Sequence, residues 1–280
     1  MLSYRHAFHA GSHADVLKHA ALLLVLDYLQ QKDKPFMYVD THAGAGGYRL
    51  SAAEAQKNRE FDTGITKLWQ RTDLPSSLQL YVDAVRAQNP DAKNLLWYPG
   101  SPRFAAHALR AQDSLRLFEL HPQDFSALSQ LFKDDSRAQV HKQDGFAGLK
   151  SVLPPVSRRA LVLIDPPYEL RDEHRNIIDA LKDALQRFAT GTYIVWYPLL
   201  EQVEAKKFAK RLETLPCTST LRAELRVCSP TGEFGMYGSG LFIINPPWTL
   251  AAQLREMLPY LVNVLRADAG AAWSVDVVGS

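Results

Sequence analysis

Cysteine is nearly absent. The 280 residues hold two, Cys217 and Cys228, too far apart for a CxxC pair. That excludes a disulfide framework and a cysteine-based zinc site, and it points to a reducing compartment. Long apolar runs are missing too. No stretch of about 18 apolar residues exists, so nothing reads as a membrane span. The opening MLSYRHAFHAGSHADV lacks the apolar core of a secretory signal. Excess charge of either sign is also missing: 32 Lys and Arg face 30 Asp and Glu, for a net +2. A protein that grips nucleic acid by bulk charge is excluded, though local basic patches are not. There is no internal repeat and no low-complexity segment. What remains, 46% hydrophobic and 22% charged, is an ordinary soluble globular composition. The length suits one α/β domain with an insertion, large enough to bury a full core.

The order of patterns gives the fold class. Residues 13–32 read as a helix from Val16, Leu17, Ala20, Leu24 and Leu26, with Lys32, Lys34 and Pro35 at its end. Residues 36–40 (FMYVD) read as a buried strand running into the glycine-rich turn 41–47 (THAGAGG). Further strand-like runs follow at 114–120, 138–141, 160–164, 192–196, 220–227 and 240–244, the earlier ones separated by helical patterns. Such alternation predicts a doubly wound, Rossmann-like α/β sheet, mostly parallel, with helices on both faces. The last two runs are joined by SPTGEFGMYGS, too short for a comfortable helix, and predict a terminal antiparallel hairpin that closes the sheet.

One spacing is abnormal. In a doubly wound sheet the acid ending the second strand usually lies about 20 residues past the glycine loop, whereas Asp40 and Glu119 are nearly eighty apart. Residues 48–98 therefore read as a charge-balanced helical insertion, with helices over 54–69 and 76–87, between the two parts of the main domain, 1–47 and 99–280. Ser101 and Pro102 predict a helix N-cap and first helical residue where the main domain resumes.

The sharpest chemical signal is Asp165-Pro166-Pro167-Tyr168, directly after the strand pattern ALVLI. The prolines stiffen the turn and remove N–H donors, so the backbone offers mainly carbonyl acceptors. This suits a planar ring bearing an exocyclic amine. Asp165 and the Pro166 carbonyl accept its two N–H protons, and Tyr168 stacks on its face, an interaction worth roughly 1–3 kcal/mol per base. Two acceptors also localise the lone pair of an otherwise poor nucleophile, readying it for attack on a methyl sulfonium. The plainer alternative is a Pro-Pro turn whose Asp caps a helix.

DPPY after a fourth strand resembles the amino-methyltransferases that use S-adenosylmethionine. The longer series SYRHAFHAG, HADVLKH, VDTHAGAG, YPGSP, FELHP, QDGF, LIDPPYE and INPPW, spread over nearly all of the chain, is similar to the bacterial RlmJ family. That resemblance implies methylation of N6 of one adenine in 23S ribosomal RNA, with S-adenosylmethionine as methyl donor and no metal. It places cofactor contacts at His19, His42 and Ser101, and supports two more that the strand ends suggest. Glu119 can accept both ribose hydroxyls, and Asp144 can take the adenine amine, with Gly145 letting the ring approach the backbone. Asp165 belongs to both the cofactor and the catalytic set, the latter with Pro166 and Tyr168. Tyr4, Lys18 and Tyr168 fall to the RNA. The glycine turn is not GxGxxG, as befits a cofactor without a pyrophosphate.

Other readings stay open. The amino-terminal segment, with His6, His9, His13 and His19 among Tyr4, Arg5 and Phe8, is either a disordered tail or a piece that folds over the site; a metal cluster there lacks a carboxylate or Cys at ligand spacing. Asn245-Pro246-Pro247-Trp248 repeats the Pro-Pro pattern but follows the seventh strand, and reads as a structural strand exit. Arg158, Arg159, Arg171, Arg175, Lys206, Lys207, Lys210 and Arg211 either hold phosphates or form a solvated face. A DNA adenine-N6 methyltransferase and a catalytically idle RNA-binding assembly factor remain alternatives. The expected setting is a cytoplasmic monomer with no membrane partner.

Overall fold

The computed structural model describes residues 5–89, 91, 93–169, 172–230, 232 and 235–279. The RNA contact expected at Tyr4 and the phosphate contact at Arg171 lie outside the described residues. A short 3-10 turn, His6–Phe8, precedes helix α1 (His13–Gln30). Then come β1 (Met37–Asp40), β2 (Gly47–Arg49), α2 (Ala53–Asn58), a 3-10 turn (Glu60–Thr63), α3 (Thr66–Trp69), α4 (Ser76–Ala87), β3 (Trp97–Pro99) and α5 (Ser101–Ala108). The chain continues through β4 (Ser114–Phe118), α6 (Pro122–Leu131), β5 (Ala138–His141), α7 (Gly145–Val152), β6 (Ala160–Ile164), α8 (Glu173–Arg187), β7 (Thr192–Leu199), α9 (Val203–Leu212), β8 (Thr220–Arg226), β9 (Gly238–Ile244), α10 (Leu250–Leu265) and β10 (Ala272–Val278).

One eight-stranded sheet has the order β10-β8-β9-β7-β6-β1-β4-β5. The strands from β7 through β6, β1 and β4 to β5 pair in parallel, whereas β9 runs antiparallel to both β7 and β8. This is the doubly wound, mostly parallel architecture expected from the strand and helix order. Alternation along each strand feeds two cores. Leu161 and Leu163 of β6 join Tyr38, Leu115 and Ile243 beneath α1, α4, α5 and α10. Ala160, Val162 and Ile164 of the same strand face Met37, Val39 and the apolar sides of α7, α8 and α9. Helix α1 lies in the first core and is buried continuously from Ala14 to Leu26, so its long apolar run reflects burial on nearly every side.

The structure departs from the expected pattern at four places. The antiparallel pair β8–β9 forms, but it does not close the sheet: β10 pairs with β8 and is the edge. Its residues alternate yet are mostly half-exposed or exposed, so the pattern carried little apolar signal. Residues 54–69 are not a continuous helix. Arg59 adopts φ 51° and ends α2, and Gly64 sits where a Cβ would lie 2.0 Å from the Gly11 carbonyl oxygen, so this stretch folds around the amino-terminal segment as separate turns. Ser101 is the first residue of α5, with Gly100 as N-cap; its hydroxyl is used elsewhere, as described below. Finally, Arg158 and Arg159 precede β6, at the opposite end of the sheet from Asp165, and Arg159 donates to backbone carbonyls including Leu29 O at 2.6 Å. Arg159 therefore braces loops, and neither arginine lines the cleft at the DPPY corner.

Candidate active site

The carboxyl ends of β6, β1, β4 and β5 adjoin in that order. The chain leaves β1 toward β4 and β5 on one side and reaches β6 on the other, which makes a topological switch point, the usual place for a ligand in an open α/β sheet. A cleft of about 360 Å³ opens there, lined by His19, His42, Ser101, Glu119, Asp144, Gly145 and Asp165, together with Lys18 and Pro167. Every residue expected from the sequence to touch the cofactor thus borders one cavity, of a size that suits a small ligand.

Strand β1 ends in Asp40, fully buried, which accepts hydrogen bonds from Tyr38 Oη at 2.8 Å, Ser101 Oγ at 2.7 Å and the His42 N–H at 3.3 Å. Burial pushes its pKa up to about 6 against those donors. The Ser101 hydroxyl therefore fastens α5 to the end of β1 rather than capping a helix. Next, the Thr41 hydroxyl donates to Leu163 O at 3.1 Å and lies 2.8 Å from His42 Nδ1. A hydroxyl has one proton, so Nδ1 is the donor here and Nε2 is left as an acceptor. Burial lowers the His42 pKa to about 4, which keeps the ring neutral.

The glycine turn bends through Gly44 (φ 60°) and Gly46 (φ 78°) and leads into a strand, not a helix. The N-terminus of α5 abuts the turn from another part of the chain, the Gly100 N–H donating to Gly46 O at 3.0 Å, so the turn and its helix are not joined in one motif as in dinucleotide folds. Glu119, just past β4, accepts the Gly44 N–H at 2.8 Å and the His121 N–H at 2.6 Å. Each oxygen keeps a lone pair for another donor, and burial raises the pKa. Asp144 caps α7 through the Phe146 N–H at 3.1 Å. The adjacent Gly145 is required for a different reason than ring approach: a Cβ there would stand 2.0 Å from the Thr41 carbonyl oxygen. Glu119, Asp124, Asp144, Asp165 and Glu173 together make the lining acidic. Acceptors of this kind fit a cationic ligand with hydroxyl and amine donors, as S-adenosylmethionine is, and disfavour a pyrophosphate.

At the end of β6, Asp165 Oδ2 meets Lys18 Nζ of α1 at 2.5 Å. Lys18 is almost fully buried. Burial works against its charge, but Asp15 and Asp165 outweigh that and raise its pKa. Tyr168 behaves differently from the sequence reading. It does not line the cleft; its hydroxyl donates to Trp196 O at 2.5 Å, and its ring sits among His174, Trp196 and Phe208 at centroid distances of 5.3, 5.8 and 6.1 Å. It also holds φ 55°, an uncommon conformation for a bulky residue that costs roughly 1–3 kcal/mol.

The family model described as "Ribosomal RNA large subunit methyltransferase D, RlmJ" matches residues 33–278. Ribosomal RNA large subunit methyltransferase J of Haemophilus influenzae is 46% identical over 276 residues, covering 99% of this chain and 98% of its own. The protein of the same name from Escherichia coli is 48% identical over 265 residues, covering 95% and 94%. The chain belongs to the RlmJ family. A crystal structure of a Legionella pneumophila protein superposes with a TM-score of 0.89 at 37% identity, covering 97% of this chain and 99% of that one, so the architecture described above is that of a solved relative of this RlmJ-family chain.

Several residues that border the cleft of this RlmJ-family member were not singled out for it from the sequence: His6, Tyr48, His121, Asp124, Gln143, Phe146, Glu173 and Asn176. Gln143 and Phe146 flank Asp144 and could have been found by extending that motif. Tyr48 and His6 meet the site only through tertiary contacts. The described part of the amino-terminal segment is folded rather than a loose tail. Arg5 pairs with Glu54 at 3.0 Å, His9 with Glu60 at 2.8 Å, and Lys57 lies 5.5 Å from the Phe8 ring. Of the basic residues near α8 and α9, Arg175 faces Asp172, Lys206 faces Glu201 and Lys207 faces Glu204, as on a solvated helix face. Among the described residues no helix is long and apolar enough to cross a membrane.

Proposed function

We propose that this chain transfers a methyl group from S-adenosylmethionine to the exocyclic N6 of an adenine in 23S ribosomal RNA, as a cytoplasmic monomer. The observation that carries the reading is that Asp165 and Pro167 of the Asp165-Pro166-Pro167-Tyr168 motif border the cleft of a chain that belongs to the RlmJ family. In this reading residues 1–47 and 99–280 form the methyltransferase domain, and the insertion 48–98 braces the amino-terminal segment.

Glu119 would hold the ribose hydroxyls, Asp144 the adenine amine, and His19, His42 and Ser101 the remainder of the cofactor. When bound, S-adenosylmethionine would supply an electrophilic methyl on a sulfonium, whose S–CH3 bond breaks to leave the neutral thioether S-adenosylhomocysteine. The chain's own residues do the rest. The target adenine leaves its stack at a cost of a few kcal/mol. Lys18 occupies one oxygen of Asp165, which leaves the other, with the Pro166 carbonyl, to accept the two N–H protons and turn the nitrogen lone pair outward. As the new N–C bond makes that nitrogen cationic and strongly acidic, Asp165 takes up the released proton. Stacking by Tyr168 requires its ring to turn from the position seen here, with loss of its hydroxyl's bond to Trp196 O. Tyr4 and Lys18 complete the RNA contacts.

Tritiated methyl transfer measured side by side on 23S RNA, duplex DNA and protein tests the proposal. Incorporation into RNA alone, at adenine N6, is expected. Incorporation into DNA, or into nothing, overturns it.

A further inference from the structure

We propose that Asp15 is a positioning residue for this transfer: its buried carboxylate sets Lys18 against Asp165 and docks the amino-terminal segment at the same cleft. The inference rests on the reading of Asp165 as the reacting acid. Asp15 is fully buried in the first turn of α1. One oxygen lies 2.8 Å from Lys18 Nζ and 3.9 Å from His19 Nε2. The other lies 2.9 Å from His6 Nε2 and 2.8 Å from the Gly11 nitrogen. Lys18, His19 and His6 all border the cleft. An acid at a helix start is favourable without any cation, and such a role needs neither burial nor these partners. A buried carboxylate is tolerated only when paired, and here its partners are residues of the site.

The geometry explains what the carboxylate does. A lysine ammonium has three donors on a flexible stem. With Asp165 alone, Lys18 would be free to swing about a single contact. Asp15 takes a second direction, and the Trp196 ring bounds a third side at 5.9 Å. The ammonium is thereby held between two carboxylates, and Asp165 is held in turn. The same carboxylate fixes the turn at Gly11 and the His6 ring, so one group orders both the acid and the segment beside it. Against its burial, His6 and Lys18 hold the Asp15 carboxyl well below the usual carboxylate range; burial keeps His19 neutral, and His9, His13, Tyr81 and Tyr98 lie within electrostatic reach of Asp15.

The test is a double-mutant cycle in the full-length protein with RNA as substrate. Asp15→Asn should lower kcat about a hundredfold, the scale of a small misplacement of reacting groups, with cofactor affinity by calorimetry little changed. Hydrogen exchange over residues 5–12 should quicken, and the ammonium resonance of Lys18 should move. Asp15→Glu should restore part of kcat. In a Lys18→Met background, Asp15→Asn should cost little more. Wild-type kcat in Asp15→Asn, or losses that add in the cycle, would overturn the proposal. If Asp15→Asn does not fold, Asp15→Glu completes the same cycle. Failure of the wild-type protein to methylate any RNA would instead sink the functional reading; the exchange and resonance measurements would still decide whether Asp15 places Lys18.

Discussion

The chain contains the same four-residue pattern twice, and the two copies ended up at opposite edges of one sheet. Asp165-Pro166-Pro167-Tyr168 follows β6 at the edge where the parallel strands end. Asn245-Pro246-Pro247-Trp248 follows β9, which runs antiparallel to β7, and so emerges at the other edge. Both turns use a left-handed residue, Tyr168 at φ 55° and Asn245 at φ 51°. Asn adopts that conformation cheaply, while Tyr does not. The side chains differ in the same sense. Asn245 Nδ2 donates to Ala189 O at 2.8 Å and Gly191 O at 2.7 Å, so its amide closes the turn between α8 and β7, and Trp248 is 82% exposed. Asp165 borders a cleft and faces a buried lysine. One corner is relaxed and bound to its own backbone; the other holds a strained tyrosine and an acid that borders the cleft. Orientation of the preceding strand is what puts one turn at the cleft and the other at the far end of the sheet.

Mutations can break that contrast. The largest effect is expected for Asp165→Ala: methyl transfer to RNA should fall by about 10²–10⁴-fold, as for loss of a positioned acid or base, with circular dichroism unchanged. Activity near wild type would remove Asp165 from the chemistry. Next, Glu119→Ala should weaken cofactor binding by roughly tenfold or more, the value of hydrogen bonds to a charged group, with kcat at saturating cofactor much less affected; titration calorimetry reads the first and initial rates the second. At Tyr168, replacement by Ala should raise KM for RNA about 5- to 150-fold, the equivalent of about 1–3 kcal/mol, if the ring stacks on the base, while Phe, which loses only the bond to Trp196 O, should be mild. Asn245→Ala should act in the opposite manner: a stability loss of about 1–3 kcal/mol from two orphaned carbonyls, seen by urea unfolding, with kcat preserved. A kcat loss as deep as that of Asp165→Ala would mean that the second corner is the reactive one.

The smallest expected effect concerns pH. Asp40, with its pKa raised to about 6, holds its proton more tightly in the folded chain than in the unfolded one between about pH 4 and 6. Its contribution to stability therefore falls as pH rises through that window. Protonation also weakens Asp40 as an acceptor for the Ser101 hydroxyl, so cofactor affinity should drop by up to about fivefold, the worth of one hydrogen bond, on going from pH 7 to 5. Asp40→Asn should flatten that dependence. The Asn245 corner has no titratable side chain and should contribute none.

The residue order by itself determined the alternation of strands and helices and the acids at strand ends, because each is a local pattern of period, punctuation or motif. It also singled out DPPY over NPPW, since strand order already placed them differently. Tertiary structure alone decided the rest. It split residues 54–69 into short turns to receive the amino-terminal segment, set β10 on the edge, turned Tyr168 toward Trp196, and gave Gly145 its purpose against the Thr41 carbonyl. Above all, it brought Asp15 and Lys18 beside Asp165. Nearly 150 residues separate that lysine from that acid in the sequence, and no periodicity spans such a gap. Only the packing of α1 beside the end of β6 made them neighbours, and burial away from water made their charges matter.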